Sequence, residues 1–142
     1  VSGASLYASF DDLRARDPRA LALRDADRGL ALDRDALARL VDRVAAALGG
    51  GREVPLERGA RIGLQIPNSP EMVAAVLACW REGWVPALLD RELAPAEVAA
   101  IRDRLGLASV RVGADLAERW PRRAGKTSSA GAEPPASRGS PP

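Results

Sequence analysis

Histidine is absent from the 142-residue chain, and cysteine, methionine, phenylalanine and tyrosine occur once each. Without histidine there is no Ser-His or Cys-His nucleophile pair, no imidazole ligand for a metal, and no imidazole acid–base group near neutral pH. A lone Cys79 rules out an internal disulfide. It lies in an apolar helical run, so it reads as a small hydrophobe in a reduced, cytoplasmic setting. No apolar stretch approaches the ~18 residues needed to span a bilayer. Residues 1–10 lack the basic-then-apolar order of a secretory signal. The first residue is Val1 rather than Met, which implies a start that was trimmed or lies elsewhere. Lysine is also nearly missing: Lys126 is the only one among 21 basic residues. With so much Ala, Gly and Pro, that bias reflects GC-rich coding rather than function.

The net charge of +2 divides unevenly. Arg122, Arg123, Lys126 and Arg138 face only Glu133 in residues 121–142. Removing these four from 21 basic groups, and one from 19 acidic groups, leaves 17 against 18 in residues 1–120. That nearly neutral part offers no basic face for displacing counterions from phosphates, so nucleic-acid binding is not expected. The last 22 residues hold five prolines and no bulky apolar side chain. Such a segment buries too little to offset its ordering entropy, so 121–142 is expected to be a disordered tail behind a folded 1–120.

The hydrophobic content of 46% suffices for one core. Leu6, Phe10 and Leu13 recur at helical spacing and predict a short helix over 5–16, ended near Asp17-Pro18. Residues 20–32 read as two strands around the turn-rich 25–29. Asp33 is an N-cap for a helix over 34–48, whose stripe is Leu37, Leu40, Val41, Val44 and Leu48. Gly49 to Gly51 are expected to end it in a left-handed C-cap. Residues 61–66 form a strand, Pro70 starts a helix that stops at Gly83, and 84–89 forms a near-continuous apolar strand of the kind covered on both faces in a parallel sheet. A helix from Pro95 to Gly106, a strand over 107–112 and one or two helical turns over 114–120 complete an α/β order. The sequence thus predicts a parallel-sheet βαβ subdomain preceded by a helix and a small β-hairpin.

The run from Arg58 to Glu71, RGARIGLQIPNSPE, resembles a stretch near the start of adenylate-forming (AMP-binding) enzymes of the acyl-CoA synthetase type. A strand ends in Pro67-Asn68-Ser69-Pro70-Glu71, an Ala/Leu-rich helix from Met72 to Trp80 follows, and Arg81-Glu82-Gly83 leads into Trp84-Val85-Pro86-Ala87-Leu88-Leu89-Asp90. Leu30 to Leu48 and Leu93 to Val112 agree with the flanking regions, so the likeness covers about residues 5–113. The resemblance implies ATP-dependent carboxylate adenylation followed by acyl transfer to a thiol, with ATP and Mg²⁺ as cofactors of the whole enzyme. Pro67–Glu71 is a landmark of that family, not its catalytic centre. As residues, it is a strand exit followed by a cap: Asn68 and Ser69 accept from free N–H groups, and Glu71 sits at the helix's positive end.

The family's phosphate loop, ribose and metal acids and mobile lysine-bearing domain have no clear counterpart in this chain. Thr127, Ser128, Ser129 and Gly131 faintly resemble a degenerate phosphate loop, with Ser129 where glycine is usual and Pro135 where lysine is usual. A Walker loop is rejected because Trp120 occupies its first glycine position, and no G-x-G-x-x-G follows a strand. Asp11-Asp12 and Asp25/Asp27 read as solvated surface. No catalytic or metal residue is assigned, and tight binding of ATP or Mg²⁺ by this chain alone is not expected. The reading is an N-terminal fragment of an AMP-dependent ligase, inactive alone, partnered by downstream ligase subdomains or by itself, and alone it is expected to expose apolar edges at strand 84–89 that the missing subdomain would cover. The alternative is a stand-alone interaction module on an α/β scaffold.

Overall fold

The computed structural model describes residues 5–50 and 53–117. The expected tail, and with it Thr127, Ser128, Ser129 and Gly131, lies outside the described residues. Helix α1 (Leu6–Arg16) is followed by the antiparallel hairpin β1 (Leu21–Asp25) and β2 (Leu30–Asp33), and then by α2 (Arg34–Gly49). From there the order is β3 (Arg61–Gln65), α3 (Pro70–Glu82), β4 (Val85–Leu88), α4 (Pro95–Leu105), β5 (Leu107–Val112) and α5 (Gly113–Ala117). The three later strands form one parallel sheet in the order β4-β3-β5. The alternating apolar runs of 61–89 thus become adjacent parallel strands joined by α3, as their pattern requires.

Local chemistry fixes the element ends. The Ala36 N–H donates to Asp33 Oδ1 at 2.7 Å, and the Met72 N–H donates to Ser69 Oγ at 3.2 Å, capping α2 and α3. At the far end of α3, Gly83 takes φ +77°. There the Trp84 N–H bonds to Cys79 O at 2.7 Å and the Gly83 N–H to Trp80 O at 3.4 Å, the paired pattern of a Schellman turn. Helix α2 ends differently from expectation: Gly50 is extended (φ −74°, ψ 162°) and not left-handed. Glycine is needed there for room, because a Cβ on Gly50 would stand 2.8 Å from Ala46 O.

The core lies between α2, α3 and one face of β3. Leu37, Leu40, Val41, Val44 and Leu48 of α2 meet Ile62, Leu64 and Ile66, with Ala74, Ala75, Ala78 and Cys79 of α3 allowing close approach. Each fully buried Leu, Ile or Val contributes about 1.5–3 kcal/mol of burial. One expectation needs correction. In α1, Leu6 and Leu13 are exposed, and Tyr7 with Phe10 packs on the core instead, because the groove beside α3 admits that side of the helix. Strand β4 is the sheet edge, with Val85 46% and Leu88 63% exposed, the open apolar edge expected of this strand in a fragment alone.

Candidate functional site

Parallel strands present their C-terminal ends together, and loops that leave neighbouring ends for opposite faces open a crevice there. In this chain, the loop after β3 leads to α3 beside α1 and α2. The loop after β4 leads to α4, on the face carrying Arg61, Gly63 and Gln65: the Arg61 guanidinium donates to Leu105 O at 2.7 Å at the end of that helix. A cleft of about 550 Å³ lies at these strand ends, between Gln65 to Ser69, the hairpin turn at Asp25, Asp27 and Arg28, and Arg91. A second hollow of about 680 Å³ continues past Asp27 and Asn68 toward Leu88, Leu89 and Asp90.

One ion-pair network frames the cleft. Arg28 holds Glu71 in a two-pronged contact, Nη1–Oε1 2.9 Å and Nη2–Oε2 2.7 Å, while its Nε donates to Asp25 Oδ2 at 2.6 Å. The Arg28 N–H also donates to Asp25 Oδ1 at 3.1 Å, which ties the turn to itself. Burial is the largest influence on Glu71 and pushes its carboxyl up. The Arg28 fork and nearby hydrogen bonds outweigh it, so the net shift is below the ordinary carboxylate value. Asp25 is lowered, chiefly by its side-chain hydrogen bond from Arg28. The hydrogen bonds Arg28 donates to Glu71, and then to Asp25, hold it protonated more firmly than usual. The guanidinium is thereby committed to two carboxylates.

The sequence placed Glu71 at a helix start but gave no sign of its partner, which lies 43 residues away on a turn read only as solvated surface. Asp25 belongs to this network, and Asp27 lines the cleft. Ser69 caps α3 as expected. Asn68 does not cap: among the described residues its side chain makes no hydrogen bond, and it lines the cleft. Gln65 grips the loop after β4, its Nε2 lying 3.1 Å from Asp90 O, 3.3 Å from Arg91 O and 3.2 Å from Leu93 O. Strand alternation could place Gln65 opposite the core, yet the carbonyls it holds belong to an irregular loop with no pattern of its own.

Among the described residues no three acidic or thiol groups converge as a metal site, and Cys79 is buried with its thiol pushed up to about 12 by desolvation. No helix among the described residues is long and apolar enough to cross a membrane. The site can therefore position loops and shape a crevice.

Residues 10–133 match the family of AMP-binding enzymes. A fatty acid–[acyl-carrier-protein] ligase, MmaC of Mycobacterium marinum, is 41% identical over 83 residues, 58% of this chain and 15% of that protein. Among solved structures, the N-terminal domain of FACL13 from Mycobacterium tuberculosis superposes with a TM-score of 0.69 at 23% identity, over 82% of this chain and 28% of that one. O-succinylbenzoate coenzyme A synthetase (MenE) from Bacillus subtilis gives 0.64 at 21% identity, over 77% and 22%. The chain thus spans well under a third of the length of each of these relatives. With the β3-α3-β4 unit in place and the family match extending over most of its length, the chain belongs to the AMP-binding enzyme family.

Proposed function

We propose that this chain supplies the early βαβ layer of an ATP-dependent, AMP-forming ligase that activates a fatty-acid-type carboxylate for transfer to a thiol. The observation that carries the reading is the family match over residues 10–133 on a parallel β3-α3-β4 unit. The 41% identity to a fatty acid–acyl-carrier-protein ligase favours the acyl class. In this reading ATP and Mg²⁺ act at groups outside the described residues, whose donor set does not suit a metal. The contribution of the described residues is positional: the Arg28–Glu71 clamp and Gln65 hold the strand-end loops in register. Chemistry that depends on aligned phosphates and a stabilised transition state requires groups these residues do not include. A cytoplasmic setting suits ATP and a lone buried thiol.

The test is pyrophosphate exchange into ATP with fatty acids of varied length. The chain alone is expected to give background rates. A hybrid of the M. marinum ligase carrying residues 5–117 of this chain in place of its own corresponding segment is expected to exchange above background. A folded hybrid with no exchange for any acid would count against the reading.

A further inference from the structure

The chain carries only two side-chain carboxamides, Gln65 and Asn68, and the fold treats them oppositely. The Gln65 Nε2 is held among the backbone carbonyls of Asp90, Arg91 and Leu93. The Asn68 side chain is exposed at the strand-end cleft and, among the described residues, makes no hydrogen bond. A carboxamide with neither donor nor acceptor contacts is free to turn its carbon toward the peptide nitrogen that follows it.

That nitrogen belongs to Ser69, and local chemistry leaves it unencumbered. Ser69 is the N-cap of α3, extended at φ −165° and ψ 163°, so its N–H stands outside the helical ladder. In a capping box the side chain three residues on would accept that N–H, but Met72 stands there. Among the described residues the Ser69 N–H finds no acceptor. Serine is also small and has no branched carbon at Cβ to crowd an approaching group.

We propose that Asn68-Ser69 is a self-modification site, at which the folded chain loses the Asn68 amide nitrogen without an enzyme. The Ser69 N attacks Asn68 Cγ. As the new N–Cγ bond closes a succinimide ring, the Cγ–Nδ2 bond breaks, and ammonia leaves with the proton of the Ser69 N–H. Water, the one co-reactant, then opens the ring. Addition at Cγ gives aspartate at 68, and addition at the Asn68 main-chain carbonyl carbon gives isoaspartate, with no change of oxidation state in either. Both products put a new carboxylate into a cleft already lined by Asp25, Asp27 and Glu71, where Arg28 is committed and Arg91 pairs with Glu92 at 3.0 Å. Aspartate at 68 is tolerated just before the positive end of α3. Isoaspartate adds a backbone carbon between Pro67 and Ser69, whose Oγ donates to Pro67 O at 2.8 Å and receives the Met72 N–H at 3.2 Å. Lengthening that link misplaces the cap, so ageing loosens the start of α3 as it makes the cleft more acidic. None of this depends on the ligase reading.

The unaltered full chain tests the proposal. It is aged near neutral pH, folded and in urea, and the tryptic peptide 62–81, which holds both carboxamides, is followed by fragment mass spectrometry. Isoaspartate is counted separately with an isoaspartyl methyltransferase and a labelled methyl donor. The folded chain should convert at Asn68 within a few-fold of the unfolded rate, with isoaspartate the larger product and Gln65 intact. Protection of the folded chain by roughly tenfold or more overturns the proposal, because the fold then withholds the Ser69 nitrogen or the Asn68 amide. Conversion at Gln65 instead of Asn68 overturns it equally. Asn68→Gln should abolish the methyl label, and a label that persists places the isoaspartate elsewhere and sinks the assignment. The aged chain should melt below the Asn68→Asp variant, which carries the charge without the lengthened backbone. Equal midpoints overturn the loosening of α3.

Discussion

Glu71 is the side chain whose state most depends on a distant neighbour. It is 8% exposed, and its charge is tolerable only because the Arg28 guanidinium meets both oxygens. Arg28→Met should destabilise the fold by about 1–3 kcal/mol, because it leaves a buried carboxylate without its partner. Urea unfolding at pH 7 measures this. Glu71 has a folded-state pKa below the ordinary 4.5, so its contribution is fully present above that value and is lost as pH falls through the folded pKa. Glu71→Gln should therefore flatten the stability profile below about pH 4.5. A wild-type profile no steeper there than that of the variant would show that the clamp carries no linkage. Sequence alone could place Glu71 at a helix start, since that follows from Ser69-Pro70. It could not pair it with Arg28, because no local rule joins a turn to a helix 43 residues on.

At the level of elements, the β3-α3-β4 unit was the most legible part of the chain because each of its boundaries is set within a few residues. Ser69 caps α3, Pro70 opens it, and Gly83 closes it in a left-handed turn. Ser69→Ala should cost about 1 kcal/mol through the lost cap. Gly83→Ala should cost about 1–2 kcal/mol through its positive φ, sharpened by Arg58 atoms 3.1–3.4 Å from the added Cβ. Thermal unfolding of both variants checks the order; a larger loss for the cap than for the glycine would be inconsistent with it. The less legible elements were those whose faces depend on tertiary neighbours. The periodicity of α1 selected Leu6, Phe10 and Leu13, yet Tyr7 and Phe10 are the residues that reach the core. The composition of β4 is that of a strand covered on both faces, and in this chain it stands at the sheet edge with Leu88 63% exposed. Its place at the edge follows from the order of crossovers, which hydrophobicity does not encode.

At the scale of the molecule, and among the described residues, one buried cluster joins the hairpin, α2, β3, α3 and Leu116 of α5, while α4 contributes no fully buried residue. Stability should therefore be uneven: α4 can open alone, but α3 cannot open without dismantling the core. Cys79 reports on that distinction, because its thiol is fully enclosed and desolvation pushes it up to about 12, from an ordinary 9.0. Below pH 9 it should react with a thiol reagent only through unfolding, more slowly than a free thiol by about three orders of magnitude or more. Arg28→Met should speed that reaction by the same factor by which it raises the unfolding constant, since the clamp joins the hairpin to α3. Arg102→Ala on α4 should leave it unchanged. The raised thiol adds a second signature. Its contribution to stability is intact below about pH 9 and is lost as pH climbs toward 12, so Cys79→Ala should soften the alkaline decline. If Cys79 reacts much faster than global unfolding allows, then α3 opens by itself, and the single cooperative core described here is really two.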